Sequence, residues 1–313
     1  MACKSVMYHY IRPFDKAQPY LYYLNLDDFR RQLDYFEKQF GILKQEQWQA
    51  ALRDPQELPD GVLLTFDDGL IDHYKYVWPE LHARGHWGVF YISSGTLQAQ
   101  QLLNVHRVHY LLGRFGGTRV LKVLETLLDD SMLINSFYER LKVEPYSMQD
   151  MDETSLQVKR IVNYSLKPSC KDMLLSQLFQ QLVGKESDVA LQFYMSPKQI
   201  IEMASDGFTF GAHGKSHNLL TKFDSQSLTH EVTGSIKTLN EVLPNPSDTF
   251  CYPYGGPDSW NEQVLTELQQ QSINYGFCVR SADIAMEDIQ KRPLLLPRYD
   301  CNEFPYGKAR IAR

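Results

Sequence analysis

Val62-Leu63-Leu64-Thr65-Phe66-Asp67-Asp68-Gly69 is an apolar run that ends in two adjacent carboxylates and a glycine. It reads as a buried strand with both acids at its C-terminal end, followed by a helix-like segment from His73. Four more short β-type runs, Ser5 to Tyr8, Gly88 to Ile92, Phe208 to Ala212 and Thr249 to Tyr252, share its character. Between them lie amphipathic helical patterns. Asp27 to Phe40 carries Phe29, Leu33, Phe36 and Phe40 on one face, with Asn25 or Asp27 as the N-cap. Pro197 to Ser205 opens on proline, and Ser225 to Leu239 places Leu228, Val232, Ile236 and Leu239 at helical spacing. Strands that alternate with cover helices predict an α/β fold with a parallel sheet.

The alternation stops between residues 97 and 193, where leucine-rich helical runs such as Arg119 to Leu128 and Lys171 to Leu182 take over. A structureless connection beyond about 12 to 15 residues is uncommon in a compact domain, so this stretch is expected to fold as a helical insertion. Its polar centre, Glu144 to Glu153, is the expected mobile turn. The whole of 1–313 is read as one domain carrying that insertion.

With 43% hydrophobic residues, 16 Phe and 19 Tyr, the chain has ample material for a core. A net charge of -6 supplies no cationic surface for counterion release, which argues against nucleic acid as a partner. No apolar run approaches a membrane span, and Met1 to Tyr10 lacks the apolar centre of a signal peptide, so a cytoplasmic location is expected. The five cysteines, Cys3, Cys170, Cys251, Cys278 and Cys301, show no paired spacing and suggest neither disulfides nor a thiolate metal site.

Taken alone, Asp67-Asp68-Gly69 reads as a turn. A second motif changes that reading. Phe210-Gly211-Ala212-His213-Gly214-Lys215-Ser216-His217-Asn218 closes another predicted strand with two histidines four positions apart. On one helical turn that spacing would turn both imidazoles to the same side, where they can meet one divalent ion. Asp68 supplies a third ligand. Two imidazoles and one carboxylate leave positions open on zinc or a related ion such as Co2+, Mn2+, Fe2+ or Ni2+, as a hydrolytic site requires.

The Thr-Phe-Asp-Asp-Gly strand end followed by His-x-x-x-His resembles the polysaccharide deacetylases of the NodB-homology group. Thr249-Phe250-Cys251-Tyr252-Pro253-Tyr254-Gly255 resembles that group's Pro-Tyr-Gly segment. The three elements span nearly the whole chain outside the insertion. The resemblance implies a distorted (β/α) barrel of about seven or eight strands. It implies that Asp68, His213 and His217 hold the metal, that Asp67 is the general base, and that Pro253, Tyr254 and Gly255 line the groove, with the Tyr254 N–H at the oxyanion. The implied reaction is metal-dependent removal of an N-acetyl group from a carbohydrate.

The sequence departs from the group in two places. The C-terminal Leu-x-His that supplies a general acid in many members reads Leu296-Pro297-Arg298 here, whereas Met7-Tyr8-His9-Tyr10 ends the first strand. An N-terminal histidine acid is a feature of the branch that includes biofilm poly-N-acetylglucosamine deacetylases, so the resemblance assigns that role to His9. Cys251 stands where an arginine commonly orients the catalytic aspartate. Arg298 would replace that arginine, bind an anionic part of the substrate, or form a surface ion pair. His73, His82, His86, His106 and His109 lack a partner motif and are set aside as solvated or packing residues. Trp87, Tyr254 and Trp260 would stack on a sugar or simply pack. The substrate expected is an N-acetylated sugar of surface-polysaccharide or O-antigen synthesis, on a nucleotide or lipid carrier, or an aminoglycoside. The rival readings are hydrolysis of another small amide and a carbohydrate-binding relative without turnover.

Overall fold

The computed structural model describes residues 2–54, 57–97, 101–134 and 151–311. Nine strands are found among them. β1 (Cys3–Tyr8), β4 (Gly61–Phe66), β5 (Val89–Ile92), β6 (Thr209–Ala212), β7 (Thr249–Cys251), β8 (Tyr275–Phe277) and β9 (Tyr299–Asp300) form one all-parallel sheet in the order β8-β7-β6-β5-β4-β1-β9. β2 (Ile11–Arg12) and β3 (Leu24–Asn25) form a separate pair. The sheet curls until its edges are joined. Leu296 accepts from the Cys278 N–H and donates to Gly276 on the β8 side, while Tyr299 and Asp300 of the same segment pair with Val6 and Met7 of β1. The result is a distorted (β/α) barrel.

The pleat sorts each strand's residues between two cores, because successive side chains point to opposite faces. Val62, Leu64 and Phe66 of β4 join Val6, Tyr8, Phe210 and Phe250 beneath the cover helices. Leu63 joins Cys3, Val89, Tyr91, Cys251, Phe277 and Leu296 inside the curl. Every residue of β4 is buried, as a strand covered on both faces must be. At the strands' starting ends, Trp48 of the helix Gln45–Arg53 plugs the interior, stacking on Phe277 and meeting Tyr275 edge-on.

The cover helices follow the sequence pattern closely. α1 (Leu26–Gln39) buries Phe29, Leu33 and Phe36, and its N-cap Asn25 accepts from the Asp27 N–H. The Gln45–Arg53 helix is α2. After β4 a π-helical turn, His73–Val77, leads into α3 (Trp78–Arg84), which ends at Gly85 in the left-handed region. The helical stretch holds α4 (Asn104–Leu127), α5 (Glu153–Arg160), α6 (Pro168–Leu182) and α7 (Glu186–Phe193). Then follow α8 (Pro197–Ser205), α9 (Ser225–Asn240), α10 (Glu262–Gln270) and α11 (Met286–Lys291).

The chain divides into two compact units. One comprises Met1–Pro13, Tyr23–Ala99 and Leu191–Arg310, and contains the sheet. The other comprises Phe14–Tyr22, Gln100–Ala190 and Ile311–Arg313. In this second unit α4 breaks at Gly116, whose φ of 72° lies in the left-handed region. The unit is fastened by a buried ion pair in which Arg107 grips Glu186 at 2.7 and 3.1 Å and also reaches Asp172 at 2.6 Å. The expected turn at Glu144 to Glu153 lies, up to residue 150, outside the described residues. Among the described residues no helix is long and apolar enough to cross a membrane.

Candidate metal and catalytic site

The same alternation that builds the interior core delivers the site. On β1 the interior residues have odd numbers, and His9 continues that row past Tyr8. On β4 Leu63 is interior, and Thr65 and Asp67 follow at steps of two. On β6 the row runs through Gly211 to His213. Gly211 is required there because a Cβ would sit 2.3 Å from the Tyr91 ring. Cys251 of β7 and Leu296, two residues before Arg298, are interior as well. One parity rule therefore sends His9, Asp67, His213, Cys251 and Arg298 toward the same end of the curl.

Asp67 is almost wholly buried and held by two parallel bonds from Arg298, Nη1 to Oδ1 at 2.8 Å and Nη2 to Oδ2 at 2.7 Å. Arg298 also donates to Thr65 Oγ1 at 3.2 Å and lies 3.0 Å from Cys251 Sγ. At 1% exposure its guanidinium faces Asp67 and not solvent, which removes the surface-ion-pair alternative. Burial pushes the Asp67 carboxyl up, but the Arg298 charge, with His213 and His9, holds it below the ordinary carboxylate value. Burial raises the Cys251 thiol far above its usual value, so it stands protonated beside the pair.

Asp68 turns away from its neighbour because its backbone leaves the strand, with φ at 78° and Gly69 following at 65°. Its Oδ1 lies 3.5 Å from His213 Nε2 and 3.3 Å from His217 Nε2. Two ligands each about 2.1 Å from one ion at a tetrahedral angle sit roughly 3.4 Å apart, so the three atoms fit a single divalent ion. The chemistry of the donors agrees. His213 Nδ1 donates to the Cys251 carbonyl at 2.7 Å, which turns the Nε2 lone pair toward Asp68. Burial lowers the His213 pKa and favours the neutral, ligand-competent ring.

The two histidines do not share a helical turn, as their spacing had suggested. Residues 213–217 form a loop after β6, with Gly214 at φ 68° and His217 at φ 54°. The backbone reverses within it, and both rings reach Asp68 by that reversal. Ser94 and Gly95 N–H groups donate to the Gly214 and Lys215 carbonyls at 3.0 Å each, and Glu231 Oε2 accepts from the Lys215 and Ser216 N–H groups at 3.3 and 2.9 Å.

His9 is about two-fifths exposed and its Nε2 lies 3.8 Å from Asp67 Oδ2. Pro253, Tyr254 and Gly255 follow β7 at the same end. Tyr254 is half-exposed, takes φ 64°, and sets its ring edge-on to His217 with centroids 5.1 Å apart. The Gly255 carbonyl is fixed by the Val279 N–H at 2.7 Å. Trp87 is buried in the interior cluster and offers no stacking face, whereas Trp260 is partly buried against the outer core. His82 and His86 make outer hydrogen bonds with Asp206 and Glu37.

Two residues near the site were not singled out from sequence. His73, set aside there, is wholly buried and donates from Nε2 to the His9 carbonyl at 3.0 Å. Glu231 lies within a helix read only for its apolar stripe. A signal was available, since position 231 falls on the face that also buries Leu228, Val232, Ser235 and Leu239. An acid on that face calls for a partner.

Residues 175–276 match the family model described as polysaccharide deacetylase, a segment that holds His213, His217 and Pro253 to Gly255 but not Asp67 or Asp68. No curated protein matches the chain. Among solved structures, the Streptococcus pyogenes deacetylase PplD in complex with acetate is similar at 17% identity and TM-score 0.59, covering 96% of this chain and 92% of its own. A de-N-acetylase from Aggregatibacter actinomycetemcomitans is similar at 13% identity and TM-score 0.55, covering 96% and 94%. IcaB from Ammonifex degensii is similar at 17% identity and TM-score 0.54, covering 95% and 91%. At these identities the structures speak for the fold. The resemblance to polysaccharide deacetylases carried by the motifs is thus met by a family match and by the fold.

Proposed function

We propose that this polysaccharide-deacetylase-like chain hydrolyses the N-acetyl amide of a carbohydrate, releasing acetate and leaving an amine. The observation that carries the reading is the pairing of a buried, arginine-held carboxylate with an adjacent trio of metal-type donors. A binding protein has no need of the first beside the second.

Asp68, His213 and His217 would hold one divalent ion, zinc by the character of its donors. Such an ion supplies Lewis acidity, making water more acidic and polarising the acetamide carbonyl. Asp67, kept ionised by Arg298, accepts a proton from the attacking water. The Tyr254 N–H donates to the oxygen that gains charge as the carbonyl carbon becomes tetrahedral. His9, close to Asp67 yet open to solvent, donates the proton that lets nitrogen leave as an amine. Arg298 acts as a positioning residue through Asp67 and does not touch substrate. The substrate class is an N-acetylated sugar, free, polymeric or on a nucleotide or lipid carrier.

The test is acetate release from N-acetylated sugars, nucleotide sugars and chitooligosaccharides by metal-stripped and zinc-restored protein. Asp67→Asn should abolish turnover while metal stays bound. His9→Ala should slow it by about 10²- to 10⁴-fold, the usual share of a general acid. Stoichiometric zinc with no acetate from any substrate would overturn the reading, and normal turnover by His9→Ala would move the acid elsewhere.

A further inference from the structure

The backbone of the loop between His213 and His217 is fastened from two sides. On one side Ile92 accepts from the His213 N–H, Ser93 Oγ donates to the His213 carbonyl, and Ser94 and Gly95 hold the next two carbonyls. These bonds come from the end of β5 and the short 3-10 turn Ser94–Thr96. On the other side stands one atom. Glu231 Oε2, from the second turn of α9, accepts from both the Lys215 and Ser216 N–H groups. Its residue is 6% exposed, and a hypothetical Cβ on Gly214 would lie 4.0 Å from the same oxygen, so the carboxylate sits directly under the reversal.

We infer that Glu231 is a positioning residue for the metal site, fixing the loop so that His213 and His217 present their Nε2 atoms to Asp68 together. The inference rests on the proposed ligand set. His213 is braced by the Cys251 carbonyl, and His217 follows directly on Ser216, whose N–H ends on Glu231. The left-handed φ of 54° at His217 is strained for a non-glycine residue and persists only where the surroundings over-determine it. Carboxylate bonds to two adjacent N–H groups provide such a constraint, because charge-assisted bonds are about twice as strong as neutral ones. Removing the acceptor frees two adjacent N–H groups of the turn and lets the loop that carries both ligands relax.

The experiment is Zn2+ affinity, measured on the full chain by competition with a chromophoric chelator, for wild type, Glu231→Gln and Glu231→Ala. Unfolding of each metal-free protein is recorded alongside. Zinc should bind Glu231→Ala about 10- to 100-fold more weakly, the range seen when a residue supporting a metal ligand is lost. Glu231→Gln should fall between, because its amide oxygen can still accept both N–H groups without the charge. It also keeps the test open should the alanine variant not fold. Wild-type affinity in a folded Glu231→Ala or Glu231→Gln would overturn the inference and leave the ligand set standing. Failure of wild type to bind zinc would overturn both.

Discussion

At the scale of the residue, Asp67 and Arg298 decide whether the site can hold a proton acceptor. A carboxylate with 2% exposure survives ionised only because the guanidinium meets it with two parallel bonds. Arg298→Met should cost about 3–5 kcal/mol at neutral pH, since it leaves a buried charge without its partner. The sign follows from the lowered carboxyl. The pair's stabilisation is complete above the ordinary carboxylate pKa and is lost as pH falls through the depressed value, so the cost of the substitution should shrink toward acid. Urea unfolding at pH 7 and near pH 2 checks this, and a loss under about 1 kcal/mol at pH 7 would contradict it. Asp67, Asp68, His213 and His217 could be named as candidates from the sequence because each pair lies within one short motif, and the fold brings the two motifs together. The deficit at Cys251 was legible too, and Arg298 stood among the readings of its remedy, but 47 positions separate the two and the sequence could not choose between that reading and its alternatives without the joining of the sheet edges.

At the scale of the element, strand alternation could be read directly and loop geometry could not. β4 and β6 fall where their apolar runs predicted, and the period of two carries on into the residues that follow. The His213 to His217 segment has helical spacing but no helix, because Gly214 turns the backbone left-handed two residues after the strand. His73 was missed for a related reason. It opens the π-helical turn after the acid pair, and its ring lies against Phe66 and Phe90 with Nε2 on the His9 carbonyl. Burial lowers its pKa to about 4. Between pH 6.5 and 4 the unfolded chain takes up a proton there that the folded one refuses, so stability should fall with pH across this window by roughly 3 kcal/mol. His73→Gln keeps an N–H donor but does not titrate, and its pH profile should be flatter by that amount. Parallel profiles for the two proteins in urea unfolding would contradict the assignment.

At the scale of the whole molecule, α/β class and helical insertion could be read from the alternation and its interruption. The division of Phe14–Tyr22 with Gln100–Ala190 could not, because it unites segments far apart in sequence. The proposed ion bridges strand ends of β4 and β6, so its binding should be coupled to unfolding of the sheet. Zinc at 100 times its dissociation constant should add about 2.7 kcal/mol, with a matching rise in the unfolding midpoint. Asp68→Asn should lose most of that gain, and equal gains in both proteins would show the ion binding elsewhere. Closure of the sheet also orders events in time. The segment that joins β8 to β1 carries Arg298 and, among the described residues, follows every other strand of the sheet in chain order. A nascent chain that stops before Leu296 already contains both acids and both histidines, yet its Asp67 has no cation and would take up a proton instead. The proton acceptor is therefore armed only once the segment leading into β9 has docked against β1.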